Sequence, residues 1–165
     1  MRTLVKQAQH GNAESFIRLI EENRQAMQRV AFGFFRNEED VADAIQDTIL
    51  DAWENIGSLK KADYFKTWLI RILINNCNKI FNHNKKNCSA DSLPEAGDNG
   101  REDSNVEFME LLLALPSESR LIFQLYYGEQ YTTREIAAIL HMNESTVKSR
   151  LHRGKEHLKA QLQGI

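Results

Sequence analysis

Apolar residues recur with the period of an α-helix along most of the chain. The first clear stretch follows the i, i+3, i+4, i+7 spacing that places side chains on one helix face. It consists of Met27, Val30, Ala31 and Phe34, and two further stretches consist of Val41, Ala44, Ile45, Thr48, Ile49, Ala52 and Trp53, and of Phe65, Trp68, Leu69, Ile72, Leu73 and Ile80. The β-branched residues fall at helical spacing and never in a period-two run, so the pattern predicts an all-α fold.

A polar, acidic segment interrupts this pattern from Asn84 to Asn105. Its only apolar side chains are those of Cys88, Ala90, Leu93 and Ala96. Such a segment buries too little surface to fold, and one this long is unusual inside a compact domain. We therefore predict two small helical domains, residues 1–83 and 106–165, joined by a flexible linker at residues 84–105.

The C-terminal half contains a helix-turn-helix pattern between Tyr131 and Lys155. Thr132 and Glu135 have the spacing of a capping box at the start of a short helix. Asn143 is placed to cap a second helix, whose inward positions are Val147, Leu151, Leu158 and Leu162. Such a second helix turns basic and hydroxyl side chains outward, as a helix that reads a DNA major groove does. The residues predicted to contact DNA are Ser145, Thr146, Lys148, Ser149, His152, Arg153 and Lys155. For this segment alone, the alternative is an ordinary amphipathic helix with a solvated basic face.

The net charge of −2 hides an uneven distribution. Residues 61–90 carry six basic side chains and one acidic one, whereas residues 91–110 carry one basic and seven acidic ones. Separated basic zones favour two distinct nucleic-acid contacts over one uniform surface. The two cysteines form no disulfide framework, and no stretch has the apolar length of a signal peptide or a membrane span. These features favour a cytoplasmic protein.

Motifs for catalysis are missing from the sequence. It has no glycine-rich phosphate loop, and its five histidines lack partners at catalytic spacing. Cys77, His83 and Cys88 have no paired Cys-x-x-Cys spacing, so we expect neither a metal site nor a cofactor. The sequence therefore argues against an enzyme and against a small-molecule substrate.

One face of the helix predicted from Val41 to Trp53 is not explained by packing. Opposite the apolar stripe lie Asp43, Gln46, Asp47 and Leu50. Single exposed leucines are common and need no function. An acidic rim around an apolar anchor is nevertheless what the docking of a basic partner helix requires, so we expect a protein-binding surface here.

Basic, aromatic and amide side chains surround the third predicted helix. Basic side chains track phosphates, aromatic rings stack on unpaired bases and amides read base edges, so this zone is suited to holding opened DNA. Alternatively, Phe65 and Trp68 belong only to the core, because they lie on the apolar stripe. The residues predicted to contact DNA are Lys60, Lys61, Tyr64, Lys66, Arg71, Asn75, Asn78 and Lys79.

Five sequence segments, taken in order, resemble a known family. They are Asn12–Phe16, Asn37–Thr48, Trp53, Phe65–Ile72, and Leu115–Pro116 leading into the helix-turn-helix. Their order and spacing are similar to those of the extracytoplasmic-function branch of the sigma-70 family of bacterial sigma factors. Members of this branch have regions two and four without the further domains of larger sigma factors.

This resemblance implies a transcription initiation factor that directs core RNA polymerase to promoters. It implies that the face containing Leu50 docks on the β′ clamp helices and that the third-helix zone recognises the −10 element. The helix-turn-helix would read the −35 element. The β flap of the polymerase and an anti-sigma factor, commonly a membrane-bound one, are further implied partners.

Lys79, Asn82, His141 and Ser145 depart from the residues most common in the family. These positions face DNA or form the turn, so the resemblance does not carry a promoter sequence with it. A second class of protein stays open, namely a dimeric helix-turn-helix regulator that acts without polymerase. Such a regulator requires a two-fold DNA site with half-sites one helical turn apart, whereas a sigma factor does not.

Overall fold

The computed structural model describes residues 1–87, 111–112, 115 and 117–163. The chain divides into two compact units, Met1–Ala96 and Gly97–Ile165. No strand occurs in the described residues, and the prediction of an all-α fold is confirmed. Residues 88–105 of the predicted linker lie outside the described residues.

Four α-helices make up most of residues 1–87, the described part of the N-terminal unit. They are α1 (Arg2–Gln9), α2 (Ala13–Phe34), α3 (Glu38–Asn55) and α4 (Phe65–Asn87), with 3₁₀ turns at Ile56–Ser58 and Ala62–Tyr64. Asn12 and Asn37 define the starts of α2 and α3, because each side-chain oxygen accepts a hydrogen bond from a first-turn backbone N–H. Helix α4 continues to Asn87, past the domain boundary predicted at residue 83.

The core of this unit lies where α2, α3 and α4 pack on one another, and α1 packs on α2. Phe65 is fully buried, so it belongs to the core, whereas Trp68 is only half-buried. Burying a large apolar side chain contributes about 1.5–3 kcal/mol, which makes this core the main source of stability. Its other fully buried side chains include those of Leu19, Met27, Val30, Leu69, Ile70 and Leu73.

Polar contacts fix the register of α4 against α3. The Asn76 amide donates to Thr48 Oγ1 at 3.2 Å and to Asp51 Oδ2 at 3.0 Å. Further along α4, the Asn84 amide donates to Asp40 Oδ2 at 2.9 Å. A buried amide without partners would cost free energy, so sliding α4 along α3 is unfavourable.

The C-terminal unit contains the predicted helix pair. The elements among its described residues include α5 (Ser117–Phe123), a π-helical turn (Gln124–Gly128), α6 (Thr133–Leu140) and α7 (Glu144–Gln163). The capping box is confirmed, because Thr132 and Glu135 exchange reciprocal hydrogen bonds of 3.1 Å. Helix α7 begins directly after Asn143, as predicted.

The turn between α6 and α7 contains a left-handed residue. His141 has φ +55° and ψ +46°, and its backbone N–H donates to Ala137 O. Glycine is the usual residue in this conformation, because a side chain there costs about 1–2 kcal/mol. The helix-turn-helix geometry is therefore kept although His141 stands where the family often has glycine.

Helix α7 packs through its first half. Val147 and Leu151 are buried as predicted, whereas Leu158 is half-buried and Leu162 is 61 % exposed. The inward position predicted for Leu162 was wrong. All described residues from 159 to 163 are exposed, so the last turns of α7 extend past the side chains that cover its first half.

Gly154 allows close approach of α7 to α5. A Cβ added at Gly154 would overlap the ring of Phe123, and both residues are buried. At this position a side chain is therefore excluded by the neighbouring helix and not by backbone conformation.

We expect Gly154→Ala to destabilise the C-terminal unit by about 1–3 kcal/mol, the usual cost of overpacking a fitted core. Urea unfolding monitored by circular dichroism measures the loss. The urea midpoint monitored by tryptophan fluorescence should not change, because Trp53 and Trp68 both lie in the N-terminal unit. Gly57→Ala is the matched control, since its added Cβ meets no atom within 4 Å. Equal midpoints for Gly154→Ala and the parent protein would show that Phe123 moves aside without cost.

Candidate protein and nucleic-acid interfaces

The acidic face predicted on α3 is exposed in the structure. Asp43, Gln46 and Asp47 are exposed, and Leu50 is 55 % exposed at its centre. These four residues recur at spacings of three and four, so they lie on one side of the helix. We call them the docking face.

Trp53 enlarges the apolar part of this surface. The helical pattern had placed it on the inward stripe, but it is 39 % exposed. Its ring packs against that of buried Phe16, with the ring centroids 4.9 Å apart. Trp53 lies one turn after Leu50, so an aromatic side chain held by Phe16 borders the docking face.

A polar cavity of about 330 Å³ opens between α3 and α4. We call it the α3–α4 pocket, and its lining residues are Asp51, Asn55, Ser58, Trp68, Ile72, Asn75, Asn76 and Lys79. The half-buried ring of Trp68 supplies an aromatic surface, Asn75 an exposed amide and Lys79 a cation. Asn76 is already held by Asp51 and Thr48, so it shapes the wall.

The structure brings only some of the predicted −10 residues to this pocket. Asn75 and Lys79 line it, and Arg71 and Asn78 lie on the same side of α4, one turn away. Lys66 precedes Asn75 by nine residues, which is about two and a half helical turns, so it lies on the opposite side of α4.

The remaining predicted −10 residues lie in the segment before α4. Lys60, Lys61 and Tyr64 are all exposed there. The Lys61 ammonium lies 5.8 Å from the centroid of the Tyr64 ring, which is within the range of a cation–π contact. An aromatic ring and two cations are thus presented together at the start of α4.

Sequence reasoning missed the three lining residues of the pocket that lie outside α4. Asp51, Asn55 and Ser58 come from the end of α3 and the first 3₁₀ turn. Polar side chains at the end of an amphipathic helix look like an ordinary solvated face. Only the packing of α4 against α3 places them opposite Asn75 and Lys79.

A shallow polar groove of about 210 Å³ lies along α7. We call it the α7 groove, and it is lined by Ser145, Thr146, Ser149, Arg150 and Arg153. Four of these five residues were predicted to contact DNA, and Arg150 is an addition. The Arg150 guanidinium also donates to Met142 Sδ at 3.9 Å, a long contact that steadies it beside the turn.

The other predicted −35 residues lie on the flank of α7. Lys148 Nζ forms an ion pair with Glu144 Oε1 at 3.6 Å. Lys155 lies 5.9 Å from the Tyr127 ring centroid, and a hydrogen bond to the Tyr127 hydroxyl raises the pKa of Lys155. His152 is exposed between them. The structure therefore separates groove residues, such as Arg153, from flanking cations.

Glu144 links the two helices of the helix-turn-helix. The Thr133 hydroxyl donates to Glu144 Oε1 at 2.9 Å. This bond, followed by the charge of Lys148, lowers the pKa of Glu144. The carboxylate therefore stays ionised and holds the start of α7 beside the start of α6.

The residues considered as metal ligands are not assembled in the described chain. Cys77 is buried, and burial raises the pKa of its thiol to about 12, so it is a poor thiolate donor. Cys88 lies outside the described residues. Across 1–87 and the described part of 111–163, no group of three or more metal-binding side chains is present.

Within residues 1–87 and the described part of 111–163, no helix combines the length and the apolar character that a membrane span needs.

Two models of one protein family match the chain. Sigma-70 region 2 matches residues 19–86, which include the docking face and every lining residue of the α3–α4 pocket. Sigma-70 region 4 matches residues 105–158, which include the α7 groove. The two matches follow the order of the two units.

Known proteins and solved structures agree with these models. SigV of Bacillus subtilis, an RNA polymerase sigma factor, is 29 % identical over 146 residues, covering 87 % of this chain and 88 % of that protein. SigW of Bacillus subtilis, an ECF RNA polymerase sigma factor, is 26 % identical over 180 residues, covering 98 % and 96 %. The structure of CnrH in complex with the cytosolic domain of CnrY superposes with a TM-score of 0.74 at 26 % identity, covering 99 % of this chain and 97 % of that one. The chain belongs to the sigma-70 family of RNA polymerase sigma factors, in its extracytoplasmic-function branch.

Proposed function

We propose that this sigma factor directs core RNA polymerase to promoters through three separate surfaces. The docking face binds the polymerase, the α3–α4 pocket binds the −10 element and the α7 groove binds the −35 element. The observation that supports this division most strongly is that the pocket and the groove are both polar and cationic yet lie in different units. Sigma factors are initiation factors and not enzymes, so we assign the catalysis to the polymerase.

The chemistry of the docking face suits the β′ clamp helices of the polymerase. Leu50 offers an exposed apolar anchor, and Asp43 and Asp47 offer negative charge to basic residues of a partner helix. Central apolar anchors inside a charged rim carry most of the affinity of a typical interface. We assign the β flap as the contact of the C-terminal unit from the family resemblance alone.

We expect Leu50→Ala to weaken core binding by about 1–3 kcal/mol, as truncation of an interface anchor does. Asp47→Lys should weaken it further and change its salt dependence. Fluorescence anisotropy with labelled protein and core polymerase measures both effects. Ile17→Ala is the matched control, because it truncates an equally exposed aliphatic side chain on α2, outside the docking face. Unchanged core affinity in both docking-face variants, with normal circular dichroism, would remove the assignment.

The α3–α4 pocket is suited to an unpaired base of the −10 element. Extruding a base from a duplex costs a few kcal/mol, and stacking it on an aromatic ring returns about 1–3 kcal/mol. Trp68 provides such a ring, Asn75 can bond to a base edge, and Lys79 can meet the adjoining phosphate. Lys60, Lys61 and Tyr64 extend this surface along the strand.

Two lysines of α4 allow a test of whether DNA binds at the pocket or is attracted by positive charge in general. We expect Lys79→Ala to weaken holoenzyme binding to a single-stranded −10 oligonucleotide and to lower its salt slope by about 0.7 unit, the value for one single-strand phosphate contact. Lys66→Ala removes the same charge on the opposite side of α4 and should have a smaller effect. Titrations at several salt concentrations measure both slopes. Equal losses in the two variants would argue for a diffuse electrostatic contact.

The α7 groove is suited to duplex DNA of the −35 element. A helix-turn-helix places the start of its second helix in the major groove, where Ser145 and Ser149 can bond adaptably. Arg153 has the fork geometry that binds a guanine edge through two hydrogen bonds. Thr146 and Arg150 complete the groove, and Lys148, His152 and Lys155 lie where phosphates would flank it.

We expect Arg153→Ala to cost about 1–3 kcal/mol on the cognate −35 element and to relax preference at one base pair. Lys155→Ala should weaken all promoters alike and lower the salt slope by about 0.9 unit. Transcription by holoenzyme from a library of single-base promoter variants measures both. The same uniform loss in both variants would make Arg153 a phosphate contact and move base reading to Lys148, Ser149 or His152.

We further propose regulation by an anti-sigma factor and, from the family resemblance alone, by a membrane-bound one. In support, RpoE of Bartonella quintana was solved in complex with the anti-sigma factor NepR, and this chain shares its fold with a TM-score of 0.72 at 22 % identity. Polymerase and promoters lie in the bacterial cytoplasm, so we place the working protein there. The mechanism requires no cofactor, metal or small-molecule substrate. The family match in both units counts against the alternative of a dimeric operator-binding regulator.

A further inference from the structure

Helix α1 is fastened to the segment that separates α3 from α4. The Gln9 amide donates to the backbone carbonyl oxygens of Ile56 at 3.0 Å and of Leu59 at 2.8 Å. Both bonds are partly buried. One side-chain amide therefore satisfies two carbonyl groups on either side of Gly57 and Ser58.

A second contact fastens the same segment near its end. Arg2 Nε and Nη2 donate to the two carboxylate oxygens of Asp63, each at 2.5 Å. This bond raises the pKa of Arg2 and lowers the pKa of Asp63. Both side chains are well exposed, so the pair contributes little to overall stability. Its forked geometry nevertheless orients the Asp63 side chain and links α1 to the residue before Tyr64.

The fastened segment forms part of the α3–α4 pocket. Ser58 lines the pocket and lies between the two carbonyl groups that Gln9 holds. Its hydroxyl donates to Asn55 O at 2.6 Å, which joins it to another lining residue. Asp63 directly precedes exposed Tyr64. Gly57, which directly precedes Ser58 and lies between the two held carbonyl groups, adds conformational freedom that the contacts of α1 restrict.

We propose that α1 is a brace for promoter opening, with Gln9 and Arg2 as positioning residues. They touch no DNA but hold the wall of the pocket in the shape that accepts an unpaired base. A pre-ordered wall loses less conformational freedom on capture, so the base is bound more tightly and the duplex opens more readily. The brace rests on the proposed function of the α3–α4 pocket.

Three substitutions in the full-length protein, assembled into holoenzyme, test the brace. Gln9→Glu keeps the size of the side chain but replaces the donating amide with acceptors. Arg2→Glu breaks the second contact, and combining it with Asp63→Arg restores an ion pair of opposite polarity. Lys6→Glu, an equal charge change one turn away on α1, is the matched control. Binding to a single-stranded −10 oligonucleotide and permanganate reactivity of opened thymines are measured beside core affinity and thermal unfolding.

We expect Gln9→Glu to reduce oligonucleotide affinity and opening about tenfold, because two hydrogen bonds are lost. Arg2→Glu should reduce them about threefold, as an exposed ion pair does. The charge-swapped double variant should return to within about twofold of the parent protein. Core affinity should stay unchanged in every variant, and the unfolding midpoint should fall slightly only in Gln9→Glu, where two carbonyl groups lose a partly buried donor. Lys6→Glu should behave like the parent protein.

Normal opening in Gln9→Glu and Arg2→Glu, together with a defect in Lys79→Ala, overturns the brace and leaves the pocket assignment intact. A parallel loss of core affinity in both variants also overturns it, because α1 would then support the N-terminal unit as a whole and not the pocket wall. If Gln9→Glu unfolds, the charge-swapped pair decides the test, because Arg2 and Asp63 are exposed. Failure of the double variant to recover opening would then overturn the brace. If Lys79→Ala is also normal, the proposed function of the pocket fails and the brace fails with it.

Discussion

The packing of α4 against α3 is the constraint on which the N-terminal unit depends. One side of α4 is buried through Phe65, Leu69 and Leu73. At the edge of that side, the Asn76 amide is hydrogen-bonded to Thr48 and Asp51. Because that register is fixed, the next side of the helix must present Asn75 and Lys79 to solvent opposite the end of α3. The same contact that stabilises the fold therefore creates the pocket. It also leaves the outer side of α3, with Leu50, exposed for a protein partner.

In the C-terminal unit, too, the buried side of a helix determines which residues face outward. Val147, Leu151 and Gly154 face inward on α7, and Gly154 lets α5 come close enough to cover so short a helix pair. The outward positions are then fixed by helical geometry and fall on the residues of the α7 groove. One unit thus presents an irregular pocket suited to single-stranded DNA, and the other presents a regular helix suited to a duplex. This chemical difference is what promoter recognition at two elements requires.

Local signals explain most of what the sequence alone could predict. Helical periodicity gave the all-α fold and the exposed position of Leu50, and the spacing of Thr132 and Glu135 gave the start of α6. The position of Trp53 could not be read in this way, because its burial depends on how far Phe16 covers it. Leu162 was assigned inward because periodicity carries no information on where covering helices stop. The pocket wall and the Gln9 contacts join residues far apart in sequence, so no spacing rule reveals them.

The proposal that these surfaces direct core polymerase to promoters has one direct test. It is run-off transcription from genomic fragments with core polymerase in the presence or absence of the protein. We predict new transcripts that depend on the protein, with start sites at a constant distance from paired upstream and downstream elements. DNA binding by the protein alone should be weak. Specific binding of the free protein to a two-fold duplex site, with no new transcripts from core polymerase, would contradict a sigma-factor mechanism and favour an operator-binding regulator.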